Sequence, residues 1–274
     1  MNRKIIRFFL YVLLIVLAFS YLYPPFYMFA NSLKTQTEYM VNPFSAPVFS
    51  GSYRNYAISF FNFNILRYFA NTLLVVIAKL LVTLPIAICA SYAFAKLSFP
   101  GKDKIYLGIL IGMFIPFQVI MIPIYVFFAK IKLLDTFFGF IFFGVAMGQP
   151  ATILLLASNF KGIPNELIES GKIDGCGYFR TVWNIIVPMG IPAIAINVII
   201  GFISGWNDLL GPMLLLRNID KQLIMPALSM LVQQRTANVP LQMAGVLIAT
   251  IPAVIIYVIL QKQIIMGVSV GSFK

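Results

Sequence analysis

Pro164-Asn165-Glu166-Leu167-Ile168-Glu169-Ser170-Gly171-Lys172-Ile173-Asp174-Gly175 is the stretch on which the reading of this chain turns. It lies inside a polar island of about thirty residues, Asn159 to Pro188, and carries three of the chain's eight acidic residues. The sequence on either side is almost wholly apolar. A short charged helix in such surroundings implies that the island stands outside a membrane that holds the rest.

Composition supports that division. Of 274 residues, 61% are hydrophobic and 10% charged, and mean hydropathy is +0.93. A soluble domain carries about 25% charged residues, so lipid is the solvent for most of this surface. A membrane span needs about 20 apolar residues. Six stretches qualify: 6–30, 68–95, 105–129, 138–158, 189–211 and 241–262. They predict an all-α membrane protein of six transmembrane helices in a single domain covering 1–274, with the loop 159–188 between spans four and five. The outer segment 31–67 is polar and aromatic, and Pro100-Gly101 punctuates a tight turn within 96–104. Neither a repeat nor a low-complexity tract is visible. The first span resembles a signal peptide, but no small-residue cleavage site follows it, so it is read as retained.

Charge placement orients the chain. With the N-terminus in the cytoplasm, eleven Lys and Arg (Arg3, Lys4, Arg7, Lys262 and Lys274 among them) fall inside and eight (Lys34, Arg217 and Arg235 among them) outside, with Lys79 inside a span. The first helix dominates such choices, and its Arg3-Lys4-Ile5-Ile6-Arg7 flank is firmly basic. Both termini and the polar island are therefore expected on the cytoplasmic side. The net charge of +12 reflects these topology residues and anionic lipid headgroups rather than nucleic acid, because no basic stripe with interleaved aromatics accompanies it. Cys89 and Cys176 are expected to be free thiols. The chain has no histidine, which removes the commonest general base and metal ligand. No catalytic constellation and no metal site are expected.

Within the island, Pro164 suits the first helical position, and Glu166 falls in the first turn, where the helix dipole stabilises a carboxylate. Gly175 follows Asp174 as a natural left-handed terminator. The helix is short, and isolated helices under about 12 residues are marginal in water, so it needs a partner. Glu166 and Glu169 share one face, while Ser170 and Gly171 leave the backbone open to close approach. Two readings stand at this point: an ordinary loop with an amphipathic helix, or a docking element for a separate soluble protein. A second amphipathic segment, Phe179 to Ile186, follows, and Pro188 opens the next span.

These residues resemble the inner-membrane permease subunits of ATP-binding-cassette importers. That family carries a cytoplasmic Glu-Ala-Ala, three residues, Gly pattern with an Ile-x-Leu-Pro-like end. Glu169-Ser170-Gly171, Gly175 and Ile185-Ile186-Val187-Pro188 stand in those places, with Ser and Gly for the alanines and Val for Leu. Asn31-Ser32-Leu33-Lys34, Gly205-Trp206-Asn207-Asp208, Met243–Pro252 and the tail Gly267–Lys274 resemble the carbohydrate-uptake branch of the maltose-permease G-subunit type. The resemblance implies a type I importer permease fold in the bacterial cytoplasmic (inner) membrane, with a coupling helix between spans four and five. Its implied ATPase-docking residues are Glu166, Glu169, Ser170, Gly171, Asp174 and Gly175.

It further implies a second permease subunit, forming a heterodimer, two copies of a cytoplasmic ATP-binding subunit, an extracytoplasmic solute-binding protein and a sugar substrate. No Gly-x-x-x-x-Gly-Lys-Ser/Thr phosphate loop occurs in the chain, so ATP and Mg belong to the partner ATPase. This chain is expected to hold no cofactor and to be no enzyme.

Polar groups inside spans are candidates for a solute path. Lys79 sits mid-span, at a cost of about 2.5–3.5 kcal/mol if unpaired; it lines the path or is a structural lysine. Asn71, Gln118, Gln149 and Asn197 either meet sugar hydroxyls or tie helices together. Trp206, Asn207 and Asp208 combine an aromatic face, an amide and a carboxylate, which suits a polyol. They read equally as an interfacial aromatic with a capping acid. The competing class is an ion-coupled secondary transporter of small polar solutes, for which only Asp208 offers a coupling carboxylate.

Overall fold

The structure is a computed structural model and describes residues 3–46, 53–233 and 238–271. Arg235, Lys274 and the last residues of the Gly267–Lys274 tail lie outside the described residues. Those described are helical or in turns, with no strand among them. Five helices are long and apolar enough to cross a membrane, and a bent pair makes a sixth if taken as one span.

The residues group into two compact units. The first holds α1 (Arg3–Ser32), α2 (Gln36–Val41), α3 (Arg54–Ala57), and residues 227–251 from later in the chain. Large apolar side chains of α1 are exposed along its length, as suits a helix solvated by lipid. After it, a polar knot replaces the apolar pattern. Asn55 Nδ2 donates to the carbonyls of Ser32 and Lys34, both at 2.8 Å. The buried Lys34 ammonium donates to the carbonyls of Asn42 (3.2 Å) and Pro43 (3.0 Å). Burial pushes that ammonium below its ordinary pKa, with Glu38 pulling the other way. Thr35 and Glu38 form a reciprocal capping box on α2.

The second unit covers residues 68–226 and 252–274. Its main helices are α4 (Ile65–Lys96), whose first residues precede the unit, α5 (Lys102–Ile111), α6 (Phe117–Lys130), α7 (Phe137–Lys161), α8 (Asn165–Ile173), α9 (Tyr178–Thr181) and α10 (Val187–Trp206). Helices α11 (Leu210–Leu215), α12 (Ile224–Gln233) and α13 (Val239–Gly271) complete the order, the last two running across the boundary between the units. Gly101, in the tight turn before α5, takes φ +78°. The core of the second unit runs along α4 and α7, with Ala87, Ile88 and Tyr92 packed against Ile153, Leu156 and Phe160.

Two boundaries differ from the sequence reading. The stretch 105–129 is not one straight span: Lys102–Phe114 and Phe117–Lys130 meet at 99°. Pro116 explains the break, because its ring drives Ile115 out of the helical region, to ψ 112°, and supplies no N–H. The fifth span also starts earlier and ends sooner than 189–211. Tyr178–Trp206 forms one continuous candidate span, so the segment Phe179–Ile186 belongs to the helix that Pro188 was expected to open. A π-helical turn, Val182–Ile186, ends two residues before Pro188. That wider turn gives the proline ring room where a regular helix would set it against the carbonyl four residues back.

Candidate functional site

Two sites emerge in the second unit, at opposite ends of α10. The first is the loop that carries α8. Pro164 is the N-cap of this helix (φ −58°, ψ 138°) rather than its first residue, and its side chain cannot cap. Bracing comes from a distant residue. Lys96, the last residue of α4, directs Nζ to the carbonyl of Ile163, to the carbonyl of Lys161 (3.3 Å) and to Asn165 Oδ1 (2.9 Å). Ile163 and Ile168 are buried in the α4–α7 core and root the helix there.

The far end of α8 closes as a Schellman motif. Cys176 N–H donates to Gly171 O (2.8 Å) and Gly175 N–H to Lys172 O (3.0 Å). Gly175 takes φ +81°, as the sequence reading requires of a residue in that place, and the space around it is open. Gly171 has a different role from the one its size suggested. It is buried, and a Cβ there would lie 2.5 Å from Ile185 Cδ1. Its smallness therefore serves packing within the loop. Glu166, Glu169, Ser170, Asp174 and Gly175 face outward. The carboxylates of Glu169 and Asp174 make no hydrogen bond or ion pair among the described residues. Beside them Ile173, at the end of α8, is 86% exposed, and Phe179, at the start of the fifth candidate span, is 75% exposed.

The second site is a cavity of about 590 Å³ walled by α4, α7 and α10. Most of its lining is apolar; Lys79, Thr83, Thr152, Asn197, Ser204, Asn207 and Asp208 supply the polar side chains. The Lys79 stem lies across Gly144 of α7, where a Cβ would come within 2.1 Å of its Cε. Its Nζ sits 5.2 Å from the Phe140 ring centre, a cation–π contact worth about 0.5–2 kcal/mol. Asp208 shares the cavity, feels the charge of Lys79 and accepts from Gly211 N–H at 3.1 Å. Lys79 and Asp208 give this otherwise apolar hollow directional groups for a polar solute.

The structure thus brings together Lys79, Asn197, Asn207 and Asp208 from the sequence candidates, and places Trp206 and Asn71 elsewhere. Trp206 is fully buried, stacked on Phe202 (5.4 Å, 14°) and edge-on to Phe69 (5.2 Å). It is a packing residue with its back to the cavity. The Phe202–Trp206 spacing of one helical turn was a visible cue to that pairing. Asn71 Nδ2 donates to the carbonyls of Asp220 (2.9 Å) and Gln222 (3.0 Å), and so ties a loop. Gln149 ties α7 to α4 through the Thr83 carbonyl at 3.3 Å, Asn197 lines the cavity and bonds the Ala193 carbonyl of its own helix at 2.9 Å, and Gln118 is exposed. Cys89 and Cys176 are free thiols. Sequence reasoning missed Lys96 and Gly144, whose partners lie on other helices.

Comparison with known proteins falls on the same elements. The family model described as binding-protein-dependent transport system inner membrane component matches residues 84–269. The chain is 31% identical over 260 residues to a probable starch degradation products transport system permease protein of Thermoanaerobacterium thermosulfurigenes, covering 95% of this chain and 94% of that one. It is 28% identical over 266 residues to a diacetylchitobiose uptake system permease protein of Streptomyces coelicolor, covering 96% and 88%. Among solved structures it is similar to a chain of a bacterial ABC transporter involved in the import of the acidic polysaccharide alginate, with TM-score 0.80, 23% identity, and coverage of 96% and 98%.

Proposed function

This chain belongs to the family of binding-protein-dependent transport system inner membrane components, and on that premise we propose that it forms half of the translocation path of an ATP-driven sugar importer. The observation that carries the proposal is α8: a helix with a rooted base, a closed end, and carboxylates and apolar side chains left facing outward. Such a helix suits a groove on another protein. The sequence has no phosphate loop, so nucleotide chemistry falls to that partner, which carries ATP and Mg. The relatives named for starch degradation products and diacetylchitobiose support an oligosaccharide or sugar-derivative substrate.

The remaining parts follow from this reading. A second permease subunit, of different sequence, completes the path. Two copies of the ATP-binding subunit engage the pair of docking helices from the cytoplasm, where both termini also lie. A solute-binding protein delivers the sugar from the other side. Movement of α8 under the ATPase opens and closes the path, and Lys79, Asn207 and Asp208 line this subunit's share of it.

Purification of the tagged chain from its native membrane in mild detergent, followed by reconstitution into vesicles, tests the proposal. The expected preparation contains a second multi-span chain and an ATP-binding subunit, and it takes up sugar only with ATP and the binding protein present. Accumulation of sugar by the isolated chain, driven by an ion gradient, would contradict it.

A further inference from the structure

We propose that Lys96 is the positioning residue that joins the docking helix to the wall of the cavity. An ammonium group has three donors, and here three acceptors outside its own helix meet it. Two are the carbonyls of Lys161 and Ile163, at and just past the C-terminus of α7. Carbonyls at a helix C-terminus lack partners within the helix and carry the negative end of its dipole, so a cation there is well placed. The third acceptor is the side chain of Asn165, the first residue of α8. Glu166, one residue on, adds electrostatic attraction. One side chain therefore holds the end of α4, the end of α7 and the start of α8 together.

The other end of that link is the cavity. Lys79 and Thr83 lie on the same helix α4, which continues through Pro85 to Lys96, and Lys79 is seventeen residues from Lys96, or about 26 Å at 1.5 Å per residue. Gln149 to Thr83 O and Ser91 to Ile153 O tie α4 to α7 along the way. A push on α8 thus reaches α4 at Lys96 and arrives where the solute path is lined. The clamp braces only the first turn of α8; the Schellman closure and the buried Ile163 and Ile168 hold the rest of the helix without it. Loss of Lys96 is expected to leave a folded, docked helix whose motion is no longer passed on.

This inference rests on the docking role proposed for α8, and the experiment keeps the two apart. Lys96→Met, Lys96→Arg and Asn165→Ala are each assembled with the partner subunits and reconstituted with the binding protein. ATPase retained on the complex and sugar moved per ATP hydrolysed are both measured. Lys96→Met should retain the ATPase and hydrolyse ATP, while sugar moved per ATP falls by about tenfold, a typical coupling free energy. Lys96→Arg should restore most of that ratio, and Asn165→Ala should lower it less than Lys96→Met does. Wild-type transport per ATP in Lys96→Met, or equal losses of hydrolysis and transport, would overturn the clamp and leave the docking role standing. Failure of the wild-type complex to retain any ATPase would overturn the docking role itself. If Lys96→Met does not assemble, Asn165→Ala decides, and an unchanged ratio there overturns the clamp.

Discussion

The two ends of α10 use their acidic residues in opposite ways. At the end beyond Trp206 the polar groups are engaged with one another. Asp135, in a left-handed turn at φ 58°, accepts the backbone N–H groups of Arg217 (3.1 Å) and Asn218 (3.0 Å). Lys221 bonds its carbonyl, and the Arg217 guanidinium lies 4.8 Å from the Tyr125 ring centre. Asn71 and Gln222 bind further carbonyls in the same knot. At the other end, Glu169 and Asp174 face out beside exposed Ile173 and Phe179. Polar groups that hold a fold have their partners inside the chain. Polar groups kept without partners, next to exposed apolar ones, are placed for another molecule.

Charge reversal sharpens the contrast most. Glu169→Lys should leave the chain inserted and folded but weaken ATPase retention by about a hundredfold, since like-charge juxtaposition costs several kcal/mol. Co-purification and thermal unfolding in detergent separate the two effects. Gly175→Trp acts on the same face without touching the core, because open space surrounds Gly175. Its left-handed φ costs about 1–2 kcal/mol for any other residue, and sugar uptake per inserted chain should fall about tenfold. Wild-type uptake by that variant would count against the docking surface.

Asp135→Ala is the mirror experiment in the knot. Two backbone N–H groups lose a charged acceptor, so unfolding should become easier by about 2 kcal/mol, with the ATPase still bound and sugar moved per ATP unchanged. A loss of ATPase binding here would erase the distinction between the two ends. Smaller still is Gly171→Ala. Its clash is with the far end of Ile185, which can turn aside, and alanine gains up to about 1 kcal/mol of helix propensity. Stability and uptake should both stay near wild type.

The smallest effect concerns Glu38, an engaged acid in the first unit. The Thr35 backbone N–H and then the Thr35 hydroxyl hold its carboxylate below the usual range. A depressed folded pKa means its contribution is present above the unfolded value, about 4.3, and is lost as pH falls through the folded value. Hydrogen exchange at Thr35 should therefore quicken only in that acid window.

What the sequence made legible was what depends on neighbours in the chain. Gly175 after Asp174 announces its own left-handed turn, and apolar runs of span length announce the helices. Pro116 also carried the break in the third span, though length alone hid it. What the sequence concealed was non-local. Pro164 looks like a first helical residue because nothing nearby shows that Lys96, sixty-eight positions away, anchors the entry to α8. Gly171 looks like an open waist until Ile185 is folded against it. Trp206 and Asp208 are two residues apart, yet one is sealed in packing and the other lines a cavity, because Trp206 is the last residue of α10 and Asp208 lies in the turn beyond it, held by Gly211 N–H.

Proximity labelling tests the central claim most directly. With Cys89 and Cys176 changed to Ser, Glu169→Cys is carried by the complex in intact membranes and joined to a short photo-crosslinker. The account predicts an adduct with the ATP-binding subunit and protection from a membrane-impermeant thiol reagent added outside. Labelling of that cysteine from the outer face, with no adduct to a nucleotide-binding chain, would contradict it.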